Sequence, residues 1–369
     1  MLDKGRISSV QLMLVLFMVE MATAFLLVPS IVAQAAGPDS WLSVLGVATA
    51  YGLAVALICV ALGKRFPFQV FTEYLPEVLG RVPGKLLAAA YTVVFIHLTS
   101  VVVGENSIFI HTVFLRETPP LIINLMMVGA AVYGVYLGVE VLARANEMVF
   151  PIFILSITIL LALVAREIDL DHLRPVLANG PLPVLKGAMV PAAWRGEVFF
   201  LLLLYPYLNQ KNEALKSAAG TVLMSGVFAA TVTAVTIGVF SDLVASRQIY
   251  PVLNLARYIS VAGILERLEL YLIIIWMAGV IIKLAVFYHS CSVMAASTLG
   301  LKDYRVTVFP IALATIVISG RLYETDYLKL VEFLSKFWPF YGYTVELLIP
   351  GLILLVAVIR KKGGNRVDF

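Results

Sequence analysis

Residues 182–207 read LPVLKGAMVPAAWRGEVFFLLLLYPY, and this stretch decides how the rest of the chain is interpreted. It is long enough to cross a bilayer, which takes about 20 apolar residues. Its middle nevertheless holds Arg195 and Glu197, separated by Gly196. Each charge costs roughly 2.5–3.5 kcal/mol at the centre of a membrane helix. Charges at this depth indicate either a functional site or an ion pair between helices.

Two conformations are compatible with this stretch. In the first, the helix breaks at Ala192–Gly196, and its unwound backbone faces protein or a watery cavity, as in secondary transporters. In the second, the helix is continuous and its charges pair with neighbouring helices. Arg195 and Glu197 are two positions apart, so on a continuous helix they point in different directions. We expect the broken helix.

The composition indicates an integral membrane protein. The chain has 369 residues, of which 61% are hydrophobic and 14% charged, and its mean hydropathy is +0.96. A soluble domain has about 25% charged residues. No polar stretch is long enough for a second domain, so residues 1–369 are predicted to form a single transmembrane domain. No basic run suggests nucleic-acid binding.

The sequence carries no motif for catalysis or for a cofactor. It lacks a glycine-rich phosphate loop, a zinc motif and a nucleophile constellation. Cys59 and Cys291 fall in or at the end of apolar spans, where small buried hydrophobic residues are the usual role of cysteine. We therefore expect neither enzymatic activity nor a bound cofactor or metal.

Ten apolar spans predict an all-α fold of ten transmembrane helices. Their approximate limits are 9–33, 40–62, 85–112, 120–138, 144–165, 184–208, 215–240, 268–298, 306–320 and 340–360. The first span holds Glu20–Ala24 at its middle, and the sixth holds the charges described above, so both are predicted to be discontinuous. Two sets of five, about 8–165 and 184–360, match the inverted repeats of transporters.

The distribution of basic residues predicts the orientation. Apart from Arg195 and Lys283, which lie in the middle of spans, fifteen lysines and arginines lie on the N-terminal side and ten on the other, where the loops are longer. Both termini are therefore expected to be cytoplasmic. An amphipathic piece at Tyr250–Val261 is predicted to form a helix over an outer vestibule.

Ionisable residues within the spans are the first candidates for a site. They are Glu20, Glu105, Arg195, Glu197 and Lys283, whereas Glu346 is close enough to the end of its span to reach the interface. For Arg195 and Lys283, pairing with a carboxylate and direct ligand contact are equally compatible with the sequence.

The two broken helices would offer complementary polarity. A half-helix that begins at Met21–Ala24 would point free N–H groups at a ligand carboxylate. Unpaired carbonyl groups of the sixth span, with Glu197 or Glu105, would suit an ammonium group. A free amino acid carries both groups.

One face of the eighth span joins small, aromatic and charged residues. Trp276, Gly279 and Lys283 share this face, Phe287 continues it, and Tyr288 lies beside it. The face either lines a pocket or packs against the first span.

Several short segments resemble, in order and spacing, the B subunits of endospore germinant receptors, which belong to the amino acid–polyamine–organocation transporter superfamily. The most specific segment is Gln34–Leu42, QAAGPDSWL. The others are Ile7–Leu12, Thr23–Ser30, Arg65–Pro67, Glu73–Gly80, Thr118–Pro119 and Gly300–Arg305 with Pro310.

The resemblance implies a LeuT-like fold and a subunit that senses a small nutrient, usually an amino acid, in the inner membrane of the spore. It also implies two partners, the A and C subunits of the receptor. The ligand site would lie between the first, third, sixth and eighth helices. On this chain these positions are Met21, Ala22, Thr23, Ala24, Val102, Glu105, Trp194, Arg195, Gly196, Glu197, Lys283, Phe287 and Tyr288.

Three functions follow as alternatives. The first is a receptor subunit in which a nutrient shifts a conformational equilibrium. The second is an autonomous proton-coupled amino acid permease, with Glu105 or Glu197 as the proton carrier. The third is a scaffold in which the charges only hold helices together.

Overall fold

The structure, a computed structural model, describes residues 3–258, 268–322 and 327–364. The described residues form helices joined by short turns, with one isolated bridge between Ile7 and Leu208 as the β-type pairing. The main α-helices are α1 (Ser9–Met21), α2 (Ala24–Ala36), α3 (Thr49–Arg65), α4 (Phe71–Leu79), α5 (Arg81–Val113), α6 (Pro120–Leu137), α7 (Val139–Val164), α8 (Pro181–Gly187), α9 (Met189–Gly196), α10 (Ala214–Phe240), α11 (Pro251–Tyr258), α12 (Leu268–Leu299), α13 (Arg305–Leu322) and α14 (Ile349–Ile359).

Most of these helices can span a bilayer. Within the described residues, eight helical segments are long and apolar enough, or nine if the bent segment from α8 to Tyr207 counts as one span. The predicted number of ten stays a prediction, because α2 and α3 belong to one long helical stretch, Ala24–Arg65, and α1 is short. The chain is a multi-pass membrane protein.

The first span is discontinuous, as predicted. α1 begins with a capping box, in which the Ser8 hydroxyl accepts from the Gln11 amide and the Gln11 side chain accepts from the Ser8 amide. The helix ends at Met21, and α2 starts again at Ala24. The break leaves backbone groups at Ala22 and Thr23 that need partners in the protein interior.

The sixth span is also discontinuous, but the predicted position of its break was wrong. Ala192–Gly196 lies within α9, and the bend of 44° falls between α8 and α9 instead. Because α9 starts at Met189, Pro191 falls in its first turn, where a missing N–H group breaks no helical hydrogen bond. After Gly196 the backbone tightens into a 3₁₀ turn, Glu197–Phe200.

The packing of the helices brings the two broken spans together. α12 contacts α1, α5, α6, α7 and α13, and α9 packs against α3. Gly52 of α3 makes the second contact possible, because a Cβ added there would lie 2.9 Å from the Cβ of Arg195. The predicted helix at Tyr250–Val261 is present as α11, and residues 259–261 lie outside the described residues.

The N-terminal segment closes one end of the bundle. The buried Asp3 carboxylate accepts hydrogen bonds from the Gly5 and Val139 amides and from the Tyr304 hydroxyl, and it lies 3.1 Å from His289 Nε2. These contacts join α7, α12 and the start of α13 to the segment before α1. The adjacent hydrogen bonds and the His289 ring hold the pKa of Asp3 well below its usual range, against the effect of burial.

We predict that Asp3→Asn lowers the stability of the protein at pH 7 by about 1.5–3 kcal/mol, the value of hydrogen bonds to a charged group. In the folded protein the neighbours of Asp3 stabilise its ionised form. The contribution of this carboxylate to the free energy of unfolding is therefore present above the unfolded pKa of about 3.9 and is lost as the pH falls below it. The difference in the free energy of unfolding between the parent and Asp3→Asn, measured in detergent, should be smaller at pH 3.5 than at pH 7.

The control is Asp303→Asn, which removes an exposed carboxylate near the same end of the bundle. An Asp3→Asn variant no less stable at pH 7 than this control would show that the buried carboxylate does not hold the N-terminal segment.

Candidate functional site

The break in the first span is completed by side chains of α12. The indole Nε1 of Trp276 donates to the Ala22 carbonyl, and the Lys283 ammonium donates to the Thr23 hydroxyl at 3.1 Å. Trp276 and Lys283 are seven residues apart on one helical face, as the sequence predicted. The Trp276 indole therefore satisfies one backbone carbonyl of the break, and the Lys283 ammonium holds the neighbouring side chain.

Lys283 connects three spans. Its ammonium lies 2.9 Å and 3.2 Å from the two carboxylate oxygens of Glu197, in addition to its bond to Thr23. The Phe287 ring centroid lies 5.4 Å from the same nitrogen, a cation–π distance. The lysine side chain is fully buried and that of Glu197 is 5% exposed. An isolated charge in such a place would be very costly, so each charge depends on the other.

Arg195 forms a second, separate cluster. Its guanidinium lies 3.6 Å from Oε2 of Glu20, and it donates to the Ser225 carbonyl at 2.8 Å and to the Met21 sulfur at 3.5 Å. The Ser225 hydroxyl donates to the same Glu20 oxygen. Arg195 and Glu197 thus point to different partners, as their spacing indicates.

Glu105 is one of the residues that line a cavity of about 170 Å³. The carboxylate is buried, and among the described residues no cation lies within salt-bridge distance of it. It interacts electrostatically with both Lys283 and Glu197. The polar side chains that line the rest of the cavity are those of Ser30, Gln34, Ser246, Arg247, Gln248 and Tyr250.

The structure separates the predicted site residues into groups. Thr23, Glu197, Lys283 and Phe287 meet around one ammonium, and Met21 joins the Arg195 cluster. Tyr288 is turned away, because its hydroxyl bonds to Thr315 of α13. Ala24, Val102 and Trp194 are buried, with no side-chain hydrogen bond that marks a role.

Two participants were missed or misplaced by sequence reasoning. Ser225, which contacts both Glu20 and Arg195, carries no local sequence signal for this role. Glu346 was expected near the membrane interface, but it is only 4% exposed and packs against Gly196. The predicted span began at residue 340, which placed Glu346 close to its end. The helical stretch to which Glu346 belongs begins at Tyr327 instead, so the residue lies deeper in the helix than predicted.

The arrangement of charges is suited to a small polar ligand. Among residues 3–258, 268–322 and 327–364, no cluster of histidine, cysteine or carboxylate side chains could hold a metal ion. Two ion pairs lie at the centre, and the Glu105 carboxylate lines the cavity together with the Arg247 side chain. A ligand with an ammonium group would complement that carboxylate.

The comparisons with known proteins give both a family and a fold. A family model described as "Spore germination protein" matches residues 6–326. Spore germination protein KB of Bacillus subtilis (strain 168) is 27% identical, over 98% of this chain and 97% of that protein.

Two solved transporter structures are similar in fold. One is MHP1, a nucleobase-cation-symport-1 family transporter in a closed conformation, with a TM-score of 0.63 and 12% identity over 98% of this chain and 81% of that one. The other is MhsT in complex with L-phenylalanine, with a TM-score of 0.62 and 14% identity over 96% and 99%. The predicted LeuT-like fold is therefore confirmed.

We predict that Lys283→Met destabilises the protein by about 3–5 kcal/mol, because it leaves the Glu197 carboxylate buried without its cation. Adding Glu197→Gln to this variant should restore much of the loss, since no unpaired charge remains. Unfolding by a denaturing detergent in mixed micelles measures both effects.

Lys336→Met is the matched control, since it breaks the exposed ion pair with Glu332, whose atoms are 3.0 Å apart. We expect it to change the stability by less than about 1 kcal/mol. Equal losses in the two lysine variants would mean that the buried pair does not hold the broken helices together.

Proposed function

Because the chain belongs to the spore germination protein family, we propose that it is the membrane subunit of a germinant receptor that senses a small nutrient, an amino acid, in a transporter-like site. The observation that carries this proposal is the buried Glu105 carboxylate, which lines a cavity and interacts electrostatically with the Lys283–Glu197 pair beside the broken first span. A scaffold that only needs packed helices has no use for a polar cavity lined by a buried carboxylate.

The ligand's ammonium group would bind near Glu105. This carboxylate lines the cavity, and a charge-assisted hydrogen bond from an ammonium would satisfy it. A volume of about 170 Å³ is below the roughly 300–1,000 Å³ of sites for drug-sized molecules. The space therefore favours a small nutrient.

The ligand's carboxylate would bind at the start of α2. Thr23 occupies the N-cap position there, but its side chain makes no capping hydrogen bond. The first N–H groups of the half-helix are thus not capped by a side chain, and together with the helix dipole they form a ready site for an anion. The ammonium group of an amino acid would then bind to Glu105 of α5, and its carboxylate would bind to the N-terminus of α2.

Lys283 would transmit the binding event. Its ammonium holds Thr23 of the first span to Glu197 of the sixth, so a ligand at the break acts directly on the contact between them. A ligand shifts an equilibrium only if it binds one conformation better than the other. We propose that the nutrient favours a conformation in which this contact is rearranged.

The remaining parts of the proposal concern the surroundings. We propose that the subunit lies in the inner membrane of the spore with both termini cytoplasmic, and that it assembles with the A and C subunits of the receptor. The family membership and the excess of basic residues on the N-terminal side support this. We also propose that residues 8–165 and 184–360 are inverted repeats.

An autonomous amino acid permease is the second candidate, and the likeness to the transporter structures favours it. Such a permease would use the same site but would release the ligand on the other side of the membrane.

We predict that at least one free amino acid raises the melting temperature of the purified protein. At a ligand concentration of 100 times Kd the stabilisation is about 2.7 kcal/mol. Glu105→Gln should abolish the shift, because the ammonium loses its counter-charge, whereas Glu117→Gln, an exposed carboxylate beyond the end of α5, should retain it. If no amino acid produces a shift in the parent, the proposed site is wrong.

Arg195→Ala distinguishes the two roles that the sequence allowed for this arginine. Its contacts with Glu20 and Ser225 predict a less stable protein that still responds to the amino acid. A variant that folds but has lost the response would assign the guanidinium to the ligand.

We predict that liposomes containing this chain alone accumulate no labelled amino acid, although the same preparation binds it. A receptor subunit needs a conformational response, and it does not need to release the ligand on the opposite side. Robust uptake that Glu105→Gln removes and Glu117→Gln retains would favour the permease.

A further inference from the structure

Glu346 lies on a distorted helical turn and contacts the sixth span. It belongs to a π-helical segment, Tyr343–Leu348, that leads directly into α14. A Cβ added at Gly196 would collide with Glu346 Oε2, so the carboxyl group lies against the backbone at the end of α9. π-Helical turns are rare and occur frequently at functional sites.

This carboxyl group is buried without a counter-charge. The side chain is 4% exposed in total, and Oε2 has no hydrogen-bond partner among the described residues. The nearby cations are already used, because Arg195 faces Glu20 and Lys283 faces Glu197. The region thus holds more carboxyl groups than cations, and Glu346 has neither Arg195 nor Lys283 as its partner.

The tyrosines around Glu346 do not supply the missing donor. The Tyr343 hydroxyl donates to the Met189 carbonyl at 2.6 Å, and the Tyr91 hydroxyl donates to the Val345 carbonyl at 2.8 Å. The Tyr51 hydroxyl has no partner in the described part of the chain, and the Tyr51 and Tyr343 rings pack at 4.9 Å. The titratable and charged groups that face this position are Tyr51 and Cys59 of the second span, Tyr91 of α5, Tyr343 beside Glu346 itself, Glu20 of α1, Arg195 and Glu197 of the sixth span, and Lys283 of α12.

We propose that Glu346 is a proton-binding site at the contact between the sixth and the last span, and that it carries a proton in the conformation described. An ionised carboxylate without a hydrogen-bond donor is strongly disfavoured in a protein interior. The charges of Glu197 and Glu20 add repulsion. A neutral carboxylic acid avoids both penalties and can pack against the Gly196 backbone.

The proton links the acidity of the surroundings to the packing of the last span. Protonation adds one H⁺ from water to the carboxylate, and no other group has to react. When the proton leaves, the negative charge is left without a counter-charge, because Arg195 and Lys283 already face other carboxylates. Loss of the proton therefore favours separation of the two spans. The argument does not depend on which nutrient binds.

Infrared spectroscopy of the full-length protein in detergent tests the proposal directly. A protonated carboxylic acid has a carbonyl stretch distinct from the bands of a carboxylate and of an amide. We expect such a band in the parent at neutral pH, a loss of intensity from it in Glu346→Gln and an unchanged band in Glu332→Gln, which alters an exposed glutamate of the same helical stretch. A parent without the band, or a Glu346→Gln variant that keeps the full band, would overturn the proposal.

Thermal unfolding as a function of pH gives an independent readout. Glutamine has the shape of a protonated glutamate and cannot ionise, so Glu346→Gln should match the parent in melting temperature below the unfolded pKa of a glutamate, about 4.3. As the pH rises from there through neutral, the parent should lose stability relative to this variant, because only its unfolded state releases the proton, whereas Glu332→Gln should follow the parent. A Glu346→Gln variant that fails to fold, or that falls in parallel with the parent, would contradict a protonated carboxyl group.

Discussion

The contact between the Lys283 ammonium and the Glu197 carboxylate is the interaction on which the central part of the structure depends. A broken helix in a membrane is tolerated only if other groups satisfy its free backbone. Here α12 supplies Trp276 to the Ala22 carbonyl and Lys283 to the Thr23 side chain. Since the lysine could not stay charged in this place alone, Glu197 must approach it from the sixth span. The two interrupted spans are thus tied through a third that is continuous.

The same constraint explains why Arg195 and Glu197 both occur in one span. If the two residues paired with each other, neither could reach another helix. Their spacing sends Arg195 towards Glu20 and Glu197 towards Lys283, so each charge makes an interhelical contact. In this chain the centre of the bundle is in this way held by electrostatic contacts, where lipid gives no hydrophobic driving force between helices.

Hydropathy and charge spacing could predict much of this arrangement, because both act locally. The order of the helical segments, the interruption of the first span and the divergence of Arg195 from Glu197 follow from short stretches of sequence. The bend of the sixth span was misplaced, since Pro191 resembles a breaker until the helix start at Met189 is known. The contact of Glu346 with Gly196 joins segments far apart in sequence, and no local pattern encodes it.

The burial of Asp3 has a consequence for how the protein is made. Its partners Val139, His289 and Tyr304 are separated from it by 136, 286 and 301 positions. Asp3 can therefore complete its contacts only after the segment that contains Tyr304 has been synthesised. Closure of such distant pairs is slow compared with the formation of single helices. This end of the bundle therefore forms only after the helices that supply those partners, and not with the local folding of α1.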